Sequence, residues 1–515
     1  MLTKSDIQSL VQCRRKLWLE HHKLELLPRE SSGLNRRSMD GVIVGERARL
    51  DLGTKLISPE SKEVSQAAAE SAKAQLLKSP GISAVEVPMA HADLYARADA
   101  LVPQATAYIL RETKTSTFPL KSDGVTPGPP KDHYLTDVAI QAWVMEGWGL
   151  PIAGIELNLL NNRWRYPGGG DYSGLFRQLD VTKDVVERKT RVPIWLAQAK
   201  ETLTGPMPDI ATGKHCSEPY DCAFQKYCEL RDPPGPPHPI ELLPGSGKAL
   251  ARKLKETKGY TSILDPKPDE LTGRQASLYR RIQSAHRVGK PILEEGSGAA
   301  IDSLTYPRYY FDFEAIDFPV PQWPGLRPYE HVPFQWSCHI ERRPGEFEHA
   351  EFLDLSGNDP SLPCIQELQK VIGAGDRGPL IVYNETYERQ RLEQLAIRHP
   401  EHAEILGNYA SRLFDLEPIV RDHFYDPLMR GSFSIKRVLA AIAPDLRYED
   451  LEEVQEGTAA QVAYLYATRD AGTGKERKAE IESRLRTYCR QDTWAMVEVA
   501  HFLLRLARPR RPVGM

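Results

Sequence analysis

The sequence predicts a mixed α/β protein with two folded domains, and three observations lead to this expectation. At 515 residues the chain is long enough for two to four domains of roughly 100–200 residues each. Helical segments and strand-like runs occur in both halves. The proline-rich stretch RDPPGPPHP, residues 231–239, separates the halves as a stiff linker would. We therefore expect an N-terminal domain over residues 1–232, a helical bridge over 233–301 and a C-terminal domain over 302–510.

The N-terminal domain is predicted to begin with helices and to continue with strands. Apolar side chains recur near one face of residues 4–22, which predicts an amphipathic helix with Ser5 as its N-cap. Two more helices are expected over 40–56 and 62–78. The runs ISAVEVPM, LYARADALV and AYILRETKTS have the residue types of strands. Because a short connection joins the last two runs, we expect them to pair as a hairpin.

The predicted hairpin carries two acids and a lysine. Asp99 lies on its first strand, and Glu112 and Lys114 lie two residues apart on its second, so the last two side chains leave the same face. Two converging carboxylates could hold Mg²⁺ or Mn²⁺ through oxygen ligands. The lysine ammonium could orient an attacking water and offset charge on a phosphate. The structural alternative for a Glu-x-Lys pattern taken alone is a solvated strand face.

Cysteines form a second pattern in the N-terminal domain. Three of the seven lie within thirteen residues, at Cys216, Cys222 and Cys228, and a fourth, Cys13, lies on the first predicted helix. Joining the early thiol to the late ones would close the domain into one unit. Four cysteines could hold zinc or an iron–sulfur cluster, and the spacing leaves both open. Scattered buried thiols are the structural alternative.

The C-terminal domain carries its own set of acids. RYYFDFE predicts a buried strand with Asp312 and Glu314 on one face. LIVYNETYERQRLEQLA predicts a strand that leads into a helix containing Glu388. The last helix, TYCRQDTWAMVEVAHFLL, places Tyr488 and Asp492 one turn apart on the same face. Taken singly, each acid is more typical of a solvated surface.

The order of parts in the first 230 residues resembles the RecB-like branch of the PD-(D/E)XK nucleases. That branch has a Gln on a helix after the Glu-x-Lys strand, and here HYLTDVAIQAWVMEGWGLP supplies Gln141. It includes CRISPR-adaptation RecB-like exonucleases and AddB-type helicase–nucleases, in which one early and three late cysteines bind a [4Fe-4S] cluster. The resemblance implies a restriction-endonuclease-like fold, with that cluster or zinc on the four cysteines. It also implies these catalytic residues: Asp99, Glu112, Lys114 and Gln141.

Two departures from the family pattern concern the metal sites. The family often has a His on the early helix as an extra ligand, whereas GERAR offers Glu46 at the comparable turn, or Arg49 at the typical spacing. Glu46 is therefore the candidate third ligand beside Asp99 and Glu112. The last three cysteines are spaced by five and five residues, where these relatives more often have two and five.

The three motifs of the C-terminal half are similar to those of DEDD exonucleases on an RNase H-like fold. Two metal ions about 4 Å apart hold the attacking water and the leaving 3′ oxygen in such enzymes. Glu388 departs from the usual Asp. By this resemblance Tyr488 positions the water, as in the DEDDy branch, and four acids are the metal ligands: Asp312, Glu314, Glu388 and Asp492.

Both halves together resemble a bacterial family that fuses a RecB-like nuclease to an RNase H-like exonuclease domain. The resemblance implies a metal-dependent DNA nuclease with two active sites, an exodeoxyribonuclease acting on single strands or free ends, in DNA repair, processing or defence. RNA is left open as a substrate. The alternatives are a nucleic-acid-binding iron–sulfur protein with one inactive site, and a structural or redox iron–sulfur module whose acids are surface charge.

Composition bears on the partners and the compartment. A formal net charge of −3 does not indicate a general affinity for nucleic acid. A local basic cluster is nevertheless formed by Arg14, Arg15, Lys16, Arg36 and Arg37. A charged face on ordinary helices is the alternative for that cluster. No apolar run approaches the roughly 20 residues of a membrane span. Without a signal peptide or an evident disulfide framework, the sequence favours the cytoplasm.

Overall fold

The chain forms two compact units. The structure, a computed structural model, describes residues 1–27, 32–59, 63–373, 375–446, 457–470 and 472–505. Unit 1 comprises Met1–Pro233 and Asp317–Glu330, and unit 2 comprises Pro234–Ile316 and His331–Met515. The end of the predicted C-terminal domain, 506–510, lies outside the described residues. Among the helices that are described, none has the length and apolar composition needed to cross a membrane.

Unit 1 is built on a six-stranded sheet. Its strands are β1 (Leu2–Thr3), β2 (Ala84–His91), β3 (Leu94–Gln104), β4 (Ala107–Thr117), β5 (Ile152–Leu160) and β6 (Phe176–Asp180). β3 pairs with β2 and β4 antiparallel and with β1 parallel, whereas β5 pairs with β4 parallel and with β6 antiparallel. The predicted hairpin is confirmed, because β3 and β4 pair continuously from Gln104↔Ala107 to Ala100↔Arg111.

Helices pack on this sheet and bury a core of Ala, Val, Leu and aromatic side chains. The helices of unit 1, in the part of the chain that is described, are α1 (Lys4–Gln12), α2 (Arg14–His22), α3 (Ser32–Asp51), α4 (Gln66–Lys78), α5 (Asp132–Trp148), α6 (Val186–Lys189), α7 (Val192–Thr204) and α8 (Gln225–Glu229). α5 is the most buried, with apolar residues on most of its circumference. The polar side chains of α5 that are buried therefore need hydrogen-bond or ion-pair partners inside unit 1.

The single helix expected over 4–22 is wrong in one respect. Cys13 interrupts it with an extended backbone (φ −164°, ψ 123°), so that α1 and α2 are separate helices. The predicted N-cap is also wrong, because the residue that caps α1 is Thr3 and not Ser5. Thr3 and Asp6 form a capping box, in which each side chain accepts a hydrogen bond from the other's backbone N–H.

Unit 2 contains a five-stranded sheet and a short two-stranded one. The larger sheet has the order β10-β9-β8-β11-β12, and the smaller pairs β7 with β13. The strands are β7 (Ile292–Leu293), β8 (Arg308–Ile316), β9 (Val332–Arg343), β10 (Glu346–Leu353), β11 (Leu380–Val382), β12 (Leu413–Asp415) and β13 (Phe424–Tyr425). β9 is antiparallel to β8 and β10, whereas β11 is parallel to both β8 and β12.

Ten described helices surround these sheets. They are α9 (Gly247–Lys258), α10 (Ala276–Val288), α11 (Ala299–Asp302), α12 (Ser361–Val371), α13 (Glu385–Arg398), α14 (Ala403–Ser411), α15 (Leu416–His423), α16 (Ile435–Ile442), α17 (Gly457–Arg469) and α18 (Lys475–Leu504). α18 is 30 residues long and contributes buried side chains along most of its length.

Residues 233–301 differ from the expectation of a separate bridge, because nearly all of them belong to unit 2. Ile240, Ile263 and Ile282 are fully buried in the same core as Val497 of α18. The Gln283 amide also donates hydrogen bonds to two buried backbone carbonyl groups. The amphipathic faces of α9 and α10 are therefore part of a domain core.

Segment 317–330 differs from its predicted assignment as well. It was expected in the C-terminal domain, and it belongs to unit 1. Arg36 donates to the Asp317 backbone carbonyl at 2.5 Å and to its carboxylate at 3.0 Å. The Tyr329 hydroxyl donates to the Thr115 carbonyl at 2.7 Å.

Candidate active sites

The first candidate site, here the hairpin site, lies on β3 and β4. Because Ala100 pairs with Arg111, the antiparallel register places Asp99 opposite Glu112 on the same face. Asp99, Glu112 and Lys114 line a cavity of about 530 Å³. The site therefore combines an open volume with the two acids and the lysine expected from the sequence.

An ion-pair network joins the hairpin to α5. The Lys114 ammonium donates to Glu112 Oε1 at 2.8 Å and to Asp137 Oδ2 at 2.5 Å. The Gln141 amide donates to Glu112 Oε2 at 2.8 Å and to Asp137 Oδ1 at 3.0 Å. Gln141 is completely buried behind the carboxylates. Its position supports a role in orienting Glu112, since the amide leaves that carboxylate little rotational freedom.

Two residues of the hairpin site were missed from the sequence. Asp137 precedes Gln141 by four residues on α5, so both lie on one face of that helix, and its position among apolar residues was a signal. Lys4 donates to Glu112 Oε1 at 3.1 Å and lies 2.8 Å from Asp137 Oδ1. No local sequence pattern pointed to Lys4, because 108 residues separate it from Glu112.

Burial and neighbouring charges give the acids of the hairpin site different protonation behaviour. Burial, followed by repulsion from Glu112, raises the pKa of Asp99 to about 7. Burial also acts to raise the pKa of Asp137, but Lys4 and Lys114 outweigh it and hold that pKa well below its usual range. Asp99 is thus the carboxyl whose ionisation a cation would favour, whereas Asp137 is already paired.

Glu46, the candidate third ligand, is not brought together with Asp99 and Glu112. It is exposed on α3, and it is not among the residues that line the cavity. The wall at this turn of α3 is formed by Gly45 and Arg49 instead. Two arginines of the predicted basic cluster have different surroundings. Arg37 lines the same cavity, whereas its neighbour Arg36 is buried and donates to the carboxylates of Asp40 and Asp317.

The second candidate site, here the four-acid site, lies in unit 2. Asp312 and Glu314 lie two residues apart on β8, so their side chains leave the same face, and Asp492 lies on α18. One ligand oxygen from each of these three carboxylates lies within 4.8 Å of the others. Glu388 lines the same cavity as these three acids. The structure thus brings together all four acids that the sequence singled out.

The turn before α13 positions Glu388. Asn384 has a left-handed backbone (φ 74°) immediately before the helix begins. The Asp415 carboxylate accepts hydrogen bonds from the N–H groups of Asn384 at 2.8 Å and Glu385 at 3.0 Å, and it also caps α15 through the N–H of Glu417. Asp415 therefore has a structural role, holding the turn that aims Glu388 at β8.

The acids of the four-acid site repel one another in a buried setting. Burial, followed by repulsion from Asp492 and other carboxylates, raises the pKa of Asp312 well above its ordinary range and that of Glu314 to about 8. Burial likewise raises the pKa of Glu388 to about 8. Glu388 Oε2 is buried without a hydrogen-bond partner among the described residues. An oxygen-rich site with an unsatisfied carboxylate oxygen fits a divalent cation such as Mg²⁺ or Mn²⁺.

Tyr488 and Lys436 complete the wall of this site. Both line a cavity of about 420 Å³ together with the four acids. The Lys436 ammonium donates to the Tyr488 hydroxyl at 3.4 Å and lies 5.1 Å from the centre of its ring. Tyr488 is one turn from Asp492 on α18, as the sequence predicted. Its hydroxyl is therefore held beside the carboxylates.

The raised pKa values predict that the stability of unit 2 depends on pH when no metal is added. Between the ordinary glutamate value of 4.5 and about 8, the unfolded chain releases protons that folded Glu314 and Glu388 retain. The free energy of unfolding is therefore greatest at or below pH 4.5 as far as these groups are concerned, and falls as pH rises through this range. Thermal melts should show Mn²⁺ raising the melting temperature by more at about pH 8 than at about pH 6. Replacing Glu314 and Glu388 with Gln should flatten this dependence, and an equal Mn²⁺ effect at both pH values would contradict it.

The four cysteines predicted to form one site meet in unit 1. Cys13, at the break between α1 and α2, lines the same small space as Cys216, Cys222 and Cys228. All four are free thiols. Burial, opposed by backbone N–H groups, raises the pKa of Cys13 and Cys222, and the neighbouring thiols add to the rise. A metal centre would favour the thiolate forms of these side chains, because it would bind their sulfur atoms directly.

Hydrogen bonds hold the first helices against the cysteine loop. The Gln12 amide donates to the carbonyl groups of His215 at 2.9 Å and Tyr220 at 2.7 Å. Arg15, buried rather than part of a basic surface, donates to the Pro208 carbonyl at 2.9 Å and to Asp209. The early thiol and the late ones are therefore placed by contacts that do not require a bound group.

The spacing of the thiols differs from that of the acids. In a tetrahedral zinc site, with zinc–sulfur bonds of about 2.3 Å, the sulfur atoms lie about 3.8 Å apart. Within the described ranges, the carboxylates of Asp312, Glu314 and Asp492 are the one group of three such ligand atoms within 4.8 Å of one another. Among the described residues, no three of the cysteine sulfur atoms form such a group.

Comparison with known protein families gives one match. The model of a domain of unknown function, DUF2779, matches residues 309–434, which include β8 from its second residue, β9 and the whole of α13 with Glu388. The search of curated proteins found no match. The matched region covers three of the four acids of the site, which are Asp312, Glu314 and Glu388.

Proposed function

We propose that the protein is a metal-dependent nuclease that hydrolyses phosphodiester bonds of DNA at two active sites. The observation that carries the proposal is the convergence of four carboxylates in unit 2. Glu314, Glu388 and Asp492 are buried and Asp312 is half-buried, and ligand oxygens of Asp312, Glu314 and Asp492 lie within 4.8 Å of one another. A protein does not ordinarily bury several acids together without a cation to hold, because their desolvation and mutual repulsion are costly. Two divalent ions at such a site would supply the charge that stabilises an in-line displacement at phosphorus.

The sheet of unit 2 supports an RNase H-like exonuclease domain. In the order β10-β9-β8-β11-β12, the central strand β8 carries Asp312 and Glu314, and β11 and β12 run parallel to it. We infer that Asp312, Glu314, Glu388 and Asp492 would hold the ions. Tyr488, kept in place by its position on α18 and by Lys436, would orient the attacking water toward the phosphate at a 3′ end.

The hairpin site supports a second, PD-(D/E)XK-type centre. Asp99 and Glu112 would hold a divalent ion. The Lys114 ammonium donates to the Glu112 carboxylate, so it would lie close to that ion and to the phosphate that is attacked. Gln141 keeps Glu112 in one orientation. Arg37 and Arg49 line the cavity and would attract a phosphate backbone.

A [4Fe-4S] cluster is the favoured occupant of the four cysteines. Its sulfur ligands each bind a different iron and therefore lie farther apart than the ligands of a single zinc ion. The order of one early and three late cysteines, which resembles that of the cluster-binding nucleases, is what favours it over zinc. The second candidate function is a nucleic-acid-binding iron–sulfur protein in which one site is inactive. The presence of Glu388 where exonucleases of this class have Asp is the observation behind it.

An assay on labelled DNA tests the proposal. The purified full chain would be incubated with single and double strands carrying a 5′ or a 3′ label, with Mg²⁺, with Mn²⁺ or with a chelator. We expect metal-dependent products, and shortening from the 3′ end for the site in unit 2. Failure to cleave any DNA or RNA substrate with either metal would refute the nuclease proposal.

Replacing Lys114 tests the hairpin site. Lys114 is mostly buried and bonds two buried carboxylates, so its removal affects stability, unlike that of an exposed strand lysine. Lys114→Met should cost on the order of 3 kcal/mol in unit 1 by leaving buried charge less compensated. Lys114→Arg keeps the charge and should keep the melting temperature, yet cleavage at this site should fall about 100-fold or more because a guanidinium places its protons differently.

The control for both variants is Lys73→Met. Lys73 is a half-buried lysine of unit 1 that donates to the Trp148 carbonyl at 2.5 Å and does not line the cavity. It should leave cleavage unchanged. Full activity of folded Lys114→Arg on every substrate would remove the Glu-x-Lys motif from the mechanism.

A further inference from the structure

Lys4 lies in the hairpin site although no Glu-x-Lys pattern includes it. Its backbone position is set by β1, whose residues Leu2 and Thr3 pair with Leu94 and Tyr95 at the start of β3. The capping box then starts α1 at Lys4, immediately after the strand. The first turn of α1 is thus anchored on the strand that also carries Asp99.

The ammonium of Lys4 duplicates the charge of Lys114. Each lysine bridges the same two acids: Lys4 at 3.1 Å from Glu112 and 2.8 Å from Asp137, and Lys114 at 2.8 and 2.5 Å. Two buried carboxylates facing two ammonium groups form a neutral set. No further positive charge is needed to balance Glu112 and Asp137.

The hydrogen-bond capacity of Glu112 leads to a conflict with metal binding. Its Oε1 accepts from both lysines, and its Oε2 accepts from Gln141. An ionised carboxylate has about four lone-pair positions, and these three donors leave one of them, on Oε2. A divalent ion bound to Glu112 therefore either takes this position, close to the ammonium groups, or displaces a donor. Gln141 is completely buried on α5, and Lys114 lies on β4 two residues from Glu112, whereas Lys4 is the first residue of α1 and reaches the acids from another segment. Withdrawal of the Lys4 ammonium would therefore leave the donors on β4 and α5 in place.

We propose that Lys4 is an internal counter-ion of the hairpin site, occupying the place beside Glu112 when no divalent cation is bound and competing with the cation for it. This inference rests on the proposed metal-dependent chemistry of the hairpin site. Removing the positive charge of Lys4 should tighten cation binding, because the ion no longer has to displace or approach an ammonium group. The same change should destabilise unit 1 in the absence of metal, because Glu112 and Asp137 then share one lysine.

The test measures Mn²⁺ binding rather than cleavage alone. All variants are made in the full chain with Asp312→Ala, so that the four-acid site contributes little to the titration, and Mn²⁺ is titrated by calorimetry. We expect Lys4→Met and Lys4→Gln to lower the dissociation constant for Mn²⁺ on the order of 10-fold or more relative to the same chain with Lys4. Lys4→Gln retains a hydrogen-bond donor toward Glu112 and serves where Lys4→Met does not fold. Lys4→Arg retains the charge and should bind Mn²⁺ no more tightly than the parent.

The control is Lys73→Met in the same background, which removes a lysine of unit 1 outside the cavity and should leave the dissociation constant unchanged. An unchanged or weaker Mn²⁺ affinity in both folded neutral variants overturns the proposal, as does tighter binding in Lys4→Arg. Tighter binding without cleavage of any substrate supports the counter-ion and refutes the nuclease function of this site. Absence of Mn²⁺ binding to Asp99, Glu112 and their neighbours in every variant refutes both.

Discussion

Asp312→Ala should abolish shortening of DNA from the 3′ end, with a loss of at least about 100-fold. Asp312 lies on the central strand β8, between the two neighbouring strands of the sheet, and has a ligand oxygen within 4.8 Å of those of Glu314 and Asp492. Glu388 lines the same cavity, so we expect Asp312 to contact both ions. Metal-assisted stabilisation of the transition state is worth several kcal/mol, and each 1.4 kcal/mol or so is a factor of ten in rate. The measurement is single-turnover cleavage of a 5′-labelled strand in the presence of Mg²⁺ or Mn²⁺.

Two controls separate loss of chemistry from loss of fold. Asp312→Asn removes the ligand charge but keeps the shape of a side chain whose pKa is already raised well above its ordinary range. It should therefore inactivate the site without lowering the melting temperature of unit 2. Asp99→Ala changes the other site and should leave 3′ shortening unchanged. If folded Asp312→Asn still shortens 3′ ends while Asp99→Ala does not, the exonuclease has been assigned to the wrong unit.

Cys216→Ser should remove visible absorbance and bound iron from the protein and destabilise unit 1. The side chain of Cys216 is buried, accepts the Gly213 N–H at 3.5 Å, and lines the same space as the other three thiols. A cluster on these residues would tie the α1–α2 break to the loop before α8, and its binding free energy would be part of the folding free energy. The measurements are iron content, absorbance and the melting temperature of protein purified without oxygen.

Cys364→Ala is the matched control, because Cys364 is a completely buried thiol of unit 2. It should cost some stability in that unit and leave iron content unchanged. The same is expected of Cys338 and Cys489, which are buried in unit 2 as well. A colourless wild-type protein with one zinc ion would favour the alternative metal, and unchanged iron content in Cys216→Ser would exclude Cys216 as a ligand.

Local patterns were sufficient to predict the parts of both sites that lie on regular elements. Strand alternation and a short connection placed Asp99 opposite Glu112, and helical periodicity placed Tyr488 and Asp492 together. These predictions succeeded because the period of a strand or helix is a property of the backbone and determines which neighbouring side chains share a face. The motif order also identified Glu388, whose helix follows a strand directly.

Contacts between distant segments were not accessible in this way. Asp415 holds the turn before α13, because its carboxylate accepts hydrogen bonds from backbone N–H groups about 30 residues earlier in the chain. Glu46 was named as the acid at the comparable turn of the early helix, whereas Arg49 has the typical spacing. The packing of α3 presents Gly45 and Arg49, and not Glu46, to the cavity. A helix rotates each residue by about 100°, so an error of one position moves a side chain off the face.

By itself, the sequence determined that the chain has two α/β halves, one with a Glu-x-Lys hairpin and four cysteines, the other with three acidic motifs in order. Only the tertiary structure decided that residues 234–301 complete the core of unit 2, that 317–330 belongs to unit 1, and that Lys4 and Asp137 enter the hairpin site. The physical reason is that these outcomes depend on which buried charges and apolar faces must be satisfied by partners far along the chain. Burying Glu112 and Asp137 requires positive charge, and the fold supplies it from the first turn of α1, 108 residues away from Glu112.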